Sequence, residues 1–139
     1  MSNFTFLESH WGDLAKLGDL SEKYVYSDPN TSIIKQGMLS EVMVKYMLAY
    51  DGIAEPEYDN THANRIRLLK NNDLLPREID NTLYILRKAR NDAAHNGADE
   101  GEKALNNLQL VYELCVWYMQ TYGDYTYEPV DYVTPVDIT

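Results

Sequence analysis

Residues 76–97 read PREIDNTLYILRKARNDAAHNG, and the spacing of the apolar side chains in this stretch indicates the fold class. Ile79, Leu83 and Leu86 recur at intervals of three or four residues, as they do on one face of an α-helix. The proline that opens the stretch is typical of a first helical turn, and the Asn-Gly pair near its end is typical of a helix terminus. We therefore predict a helix that runs from this proline to about His95.

Helical periodicity also extends over most of the remaining chain. It predicts one helix or two short ones over residues 6–26, a helix from Asp28-Pro29 to about residue 50, a short helix over 61–71 and a last helix over 99–122. No segment before residue 123 alternates apolar and polar side chains as a half-buried strand would. We therefore predict an all-α fold, an antiparallel bundle of four to five helices, over residues 1–122.

The last part of the chain, residues 123–139, has a different composition. It contains two prolines, three tyrosines and four acidic residues, and it contains no basic residue. This composition predicts an extended tail, either a linker or a strap that lies on the bundle.

Length and composition exclude several classes of protein. The 139 residues suit one domain, and the net charge of −10 argues against a protein that binds nucleic acid over its whole surface. One cysteine and three scattered histidines lack the spacing of a zinc site, so we expect no metal and no other cofactor. The chain has neither an apolar stretch of ~20 residues nor a signal peptide pattern, which predicts a cytoplasmic protein that does not bind membranes.

The charge is unevenly distributed along the sequence. Residues 60–98 carry seven basic and four acidic side chains, whereas the segments on either side are strongly acidic. One interpretation is a helix face paired with acidic neighbours, and on this interpretation His62 lies on a solvated face. The other interpretation is a patch that faces phosphate groups. Its contacts would be Arg65, Arg67, Arg87 and Lys88.

Arg90 is a charged residue at a position where the helical pattern requires an apolar one. It follows Leu86 by four residues and precedes Ala93 by three. A guanidinium in such a place needs an acidic partner, a cleft or a subunit interface, because an unpaired buried charge is costly. Glu41 lies next to apolar positions of the second predicted helix, so we predict an ion pair between Glu41 and Arg90.

His95 ends the same helix, where the helix dipole favours a cationic imidazole. This preference alone is a sufficient structural reason for the histidine. The same position also suits a general acid or base, because the imidazole titrates near neutral pH. An arginine together with such a histidine can cleave RNA without a metal, since the arginine stabilises the charged transition state.

The hexad RNDAAH, from Arg90 to His95, resembles the Arg-x(4–6)-His signature of HEPN-type helical domains, in which a polar residue often follows the arginine. Here that residue is Asn91. A wider frame resembles one branch, the DUF4145 domain at the N-terminus of type I restriction enzyme R subunits, over about residues 3–123. The four phrases that carry the resemblance are NFTFLESHWGDLAKLGDLSEKYVYSDPNTSIIK, RIRLLKNNDLLPREI, LRKARNDAAH and VWYMQTYG.

The resemblance implies a HEPN-like bundle that often forms dimers through the helix bearing the motif. It implies an accessory interaction domain of a restriction-modification enzyme, which defends the cell against foreign DNA. Catalysis would then belong to other parts of the parent protein, a restriction endonuclease and ATP-dependent translocase, and the partners would be those parts or other subunits. The alternative is a metal-independent HEPN endoribonuclease, in which Arg90 and His95 are catalytic and Asn91 orients them. Both hypotheses stand at this point.

Overall fold

The computed structural model describes residues 2–96 and 100–138. Within these ranges the chain is all-helical and has no strand, which confirms the predicted all-α class. A 3-10 turn over Thr5–Ser9 precedes the bundle. The α-helices are α1 (Gly12–Lys23), α2 (Pro29–Tyr50), α3 (His62–Asn71), α4 (Arg77–Asn96) and α5 (Gly101–Tyr118). The predicted helix end at Gly97 and the predicted restart at Asp99 lie outside the described residues.

The helix starts follow from local sequence. Asp28 caps α2, because its carboxylate accepts a hydrogen bond from the backbone N–H of Thr31 and Pro29 occupies the first helical turn. Thr61 caps α3 in the same way through the N–H of Asn64. The N-terminal segment forms two pieces rather than one helix, and they are separated at His10 and Trp11.

α2 is the central helix of the bundle and packs against each of the other four. Its apolar side chains Leu39, Met43 and Met47 are fully buried. Polar groups of α2 are also buried, and they bond to neighbouring backbone: the Ser32 hydroxyl donates to the carbonyl of Ser21, and the Gln36 amide donates to the carbonyl of Ala104. These bonds fix α2 against α1 and α5, because they satisfy two donors that would be costly to bury unpaired.

Two close approaches depend on glycine. A Cβ built on Gly18 of α1 would lie 2.7 Å from the Cβ of Phe4, so the phenylalanine ring packs directly on the helix backbone. A Cβ built on Gly37 of α2 would lie 2.6 Å from the Cβ of Arg90 on α4. Gly37 therefore lets α2 and α4 approach closely at the position of Arg90.

The last helix ends in a π-helical turn, Met119–Gly123, and the tail then runs back over the bundle as a strap. The side-chain amide of Asn3 donates to the carbonyl of Val133 at 2.8 Å and its oxygen accepts from the N–H of Val133 at 2.9 Å. The Tyr112 hydroxyl donates to the carbonyl of Val130, and the ring of Tyr127 stacks on Phe6 with 5.0 Å between the ring centres. Along these residues the strap, rather than a free linker, is the observed arrangement.

Candidate functional site

The structure brings Arg90 and Glu41 together between α4 and α2. The stem of Arg90 crosses Gly37, and its Nη1 donates a hydrogen bond to the Glu41 carboxylate. The two side chains are 31% and 29% exposed, so the pair is half-buried at the rim of the helix contact. Lys45, one turn further along α2, lies 3.8 Å from the other carboxylate oxygen. Arg90 therefore has an acidic partner within its own chain.

The electrostatics of Glu41 reflect this pairing. Burial by itself raises the pKa of the Glu41 carboxyl, but the hydrogen bond and the positive charge of Arg90 outweigh it, so the net shift is downward. Glu41 is therefore ionised at neutral pH, and it neutralises the guanidinium that faces it.

His62, the first residue of α3, completes this cluster, and its predicted place on a solvated face is wrong. Both of its ring nitrogens are buried and have no hydrogen-bond partner among the described residues. Burial lowers the pKa of His62 to about 4. The negative charge of Glu41 opposes this shift, whereas the positive charges of Arg90, Arg87 and Arg65 add to it. The imidazole is therefore neutral at physiological pH.

Asn91 and His95, the other two predicted site residues of the RNDAAH hexad, lie apart from this cluster. Asn91 and His95 are exposed on α4, whereas the Arg90 side chain turns inward towards α2. Residues five apart on an α-helix point about 140° away from each other, which separates the guanidinium from the imidazole. One chain alone thus does not place Arg90 and His95 in a common cleft.

The predicted phosphate contacts fall into two groups. Arg67 and Arg87 line one groove between α3 and α4, which has a volume of about 190 Å³. Arg65 instead forms a salt bridge with Glu55, and Lys88 lies outside the groove, 3.9 Å from Asp92. The other residues that line the groove are Ala63, Ile66, Lys70, Asp80 and Tyr84.

Sequence reasoning did not select Lys70 and Tyr84 for this groove. Lys70 lies three residues after Arg67 on α3, and Tyr84 lies three before Arg87 on α4, so each shares a helix face with a predicted contact. This spacing is the signal that could have added them. The missing information was that α3 and α4 border the same groove, because this arrangement decides which residues line it.

Comparison of the chain with protein-family models, with curated proteins and with solved structures gave no match. Within residues 2–96 and 100–138, no helix has the length and apolar content needed to cross a bilayer. No cluster of three or more histidine, cysteine or acidic side chains in the same ranges could hold a metal ion.

Proposed function

We propose that this chain is a HEPN-like interaction domain of a type I restriction-modification R subunit and has no catalytic activity of its own. One observation carries the choice between this role and a ribonuclease. The Arg90 guanidinium is engaged by Glu41, so it has fewer donors for a phosphate, and it lies away from His95. Assignment to the restriction family rests on the four sequence phrases.

The outer face of α4 supports a role in binding other protein chains. Ile85 is a large apolar side chain that is 40% exposed, and it begins a row with Lys88, Asp92 and His95 at spacings of three and four. In such a contact Ile85 would be the apolar centre, and the charged residues of the row would form its polar rim. This row is therefore the surface that we assign to self-association or to contact with another restriction-modification subunit.

The second candidate function is the metal-independent ribonuclease. The observation that favours it is the exposure of both Asn91 and His95 on α4, where a second chain could complete a site. A nuclease assay separates the two functions. We expect the purified chain to leave single-stranded RNA intact in the presence of a chelator. Cleavage that His95→Ala abolishes would contradict the interaction role and support the ribonuclease.

The interaction role is tested directly by sedimentation of the chain alone and with the other purified subunits of a type I restriction-modification enzyme. We expect a complex or a concentration-dependent dimer that Ile85→Glu disrupts. Val136→Glu is a matched control, because Val136 is also an exposed apolar residue but lies in the strap. A chain that stays monomeric and binds none of these subunits would contradict the proposal.

A further inference from the structure

The groove between α3 and α4 concentrates positive charge in a chain whose net charge is −10. Three basic side chains, Arg67, Lys70 and Arg87, line it together with one acidic side chain, Asp80. Lys70 and Asp80 form a salt bridge of 3.2 Å, so their charges largely cancel. The net charge of the groove therefore comes from the two arginines.

Both arginines keep their charge available for a ligand. Arg67 donates to the side-chain oxygen of Asn64 at 2.7 Å, and this partner is neutral. The Arg87 guanidinium lies 5.6 Å from the ring centre of Tyr84, which orients it through a cation–π contact. Neither has a carboxylate partner among the described residues, unlike Arg65 and Arg90, which are bound by Glu55 and Glu41.

Each of the two depressions that share Arg67 also contains an exposed aromatic ring. Tyr84 lines the groove and is 54% exposed. Arg67 also lines a neighbouring depression, whose other residues include Tyr58, Asp59 and Asn71, and Tyr58 is 79% exposed. The surface thus presents a ring, two guanidinium groups and a second ring across the two adjoining depressions, with Asp59 as the acidic neighbour of the second ring.

This combination of groups fits one class of ligand. Arginine forks bind phosphate oxygens, and exposed aromatic rings stack on unpaired bases, so a surface that offers both fits a single strand. The groove volume of about 190 Å³ is below the roughly 300–1,000 Å³ of pockets that enclose a drug-sized ligand. The groove therefore does not enclose a whole small ligand, and it suits contact with part of an extended strand that continues beyond it.

We propose that the α3–α4 groove binds single-stranded nucleic acid, with Arg67 and Arg87 on consecutive phosphates and Tyr84 and Tyr58 stacked on bases. The acidic remainder of the surface repels further phosphates, so the contact covers only a few nucleotides. This site does not depend on the restriction-subunit proposal, since it rests on the groove alone.

Fluorescence anisotropy with labelled dodecamers of deoxythymidine and of uridine, at low salt, tests the site. We expect a dissociation constant of about 10⁻⁵ M, and a salt slope near −1.4 because two phosphates are contacted. Arg87→Gln should weaken binding at least fivefold and halve the slope. Arg77→Gln is the matched control, since it removes the same charge from another exposed arginine of α4 that lies outside the groove, and it should change affinity less than twofold.

The contribution of the Tyr84 ring to binding is tested by comparing two variants of this residue. Tyr84→Phe keeps the ring and should retain binding, whereas Tyr84→Leu should weaken it severalfold, and circular dichroism verifies that each variant is folded. Equal losses in the Arg87 and Arg77 variants would overturn the proposal. So would tighter binding of a duplex, or of a phosphopeptide with the same charge. Competition by inorganic phosphate at constant ionic strength, equal to that by an unlabelled strand, would overturn it in favour of a simple phosphate site.

Discussion

Removal of either partner from the Glu41–Arg90 pair should destabilise the bundle, and removal of both should cost less than the sum. In Glu41→Ala the guanidinium keeps its half-buried position but loses its acceptor. In Arg90→Met the stem that crosses Gly37 is retained while the charge is removed. The double variant contains neither of the two charges, so neither half-buried position holds a charge without its partner.

The expected coupling follows from the exposure of the pair. Loss of one partner from a fully buried ion pair costs about 3–5 kcal/mol, whereas an exposed pair contributes about 0–1 kcal/mol. Side chains that are 31% and 29% exposed lie between these cases, so we expect a coupling of about 1.5–3 kcal/mol. The lowered pKa of Glu41 agrees with a stabilising ion pair, because it shows that the folded chain favours the charged carboxylate.

Urea unfolding of the wild type and the three variants, followed by circular dichroism at 222 nm, gives the four free energies of unfolding. The cycle is valid if the denaturant slope is unchanged among them. Additive losses, with a coupling below about 0.5 kcal/mol, would show that Glu41 and Arg90 do not stabilise each other in the folded chain. They would also free Arg90 for the candidate active site.

Three further predictions concern stability. Gly37→Ala should cost about 1–3 kcal/mol of unfolding free energy in urea melts, because its Cβ meets the stem from α4, whereas Gly12→Ala, with open space, should not destabilise. The pKa of His62 is about 4 when folded and 6.5 ordinarily, so the unfolded chain binds the proton more readily. Stability should therefore fall by up to about 3 kcal/mol as pH drops from 6.5 to 4, and His62→Gln should remove this part of the pH dependence. Tyr112→Phe, which loses the bond to Val130, should cost about 0.5–1.5 kcal/mol and speed hydrogen exchange in the strap.

The helices themselves were predictable because their signals are local. The spacing of Ile79, Leu83 and Leu86 gives the inward face of α4, and the caps at Asp28 and Thr61 give the starts of α2 and α3. The partner of Arg90 could also be proposed from sequence, since a charge that interrupts an apolar stripe requires an opposite charge on a neighbouring stripe.

The features that escaped prediction depend on how separate segments meet. Burial of His62 results from the docking of α3 near Glu41 and Arg90, and nothing in the ten residues of α3 specifies that docking. The groove with Lys70 and Tyr84 has the same origin. Periodicity defines the apolar face of each helix, but it does not state which polar flanks become neighbours once those faces are buried.

The hydrogen bonds between Asn3 and Val133 join two residues that are 130 positions apart in the sequence, so they close a long loop of the chain. Closing a loop of that length costs about 4 kcal/mol of chain entropy when it forms first, but little once the bundle has already drawn both segments together. The strap should therefore be the last part to fold and the first to detach, in an opening event that leaves the helices intact. A pull on the C-terminal side would break its few bonds one after another before any load reached α5.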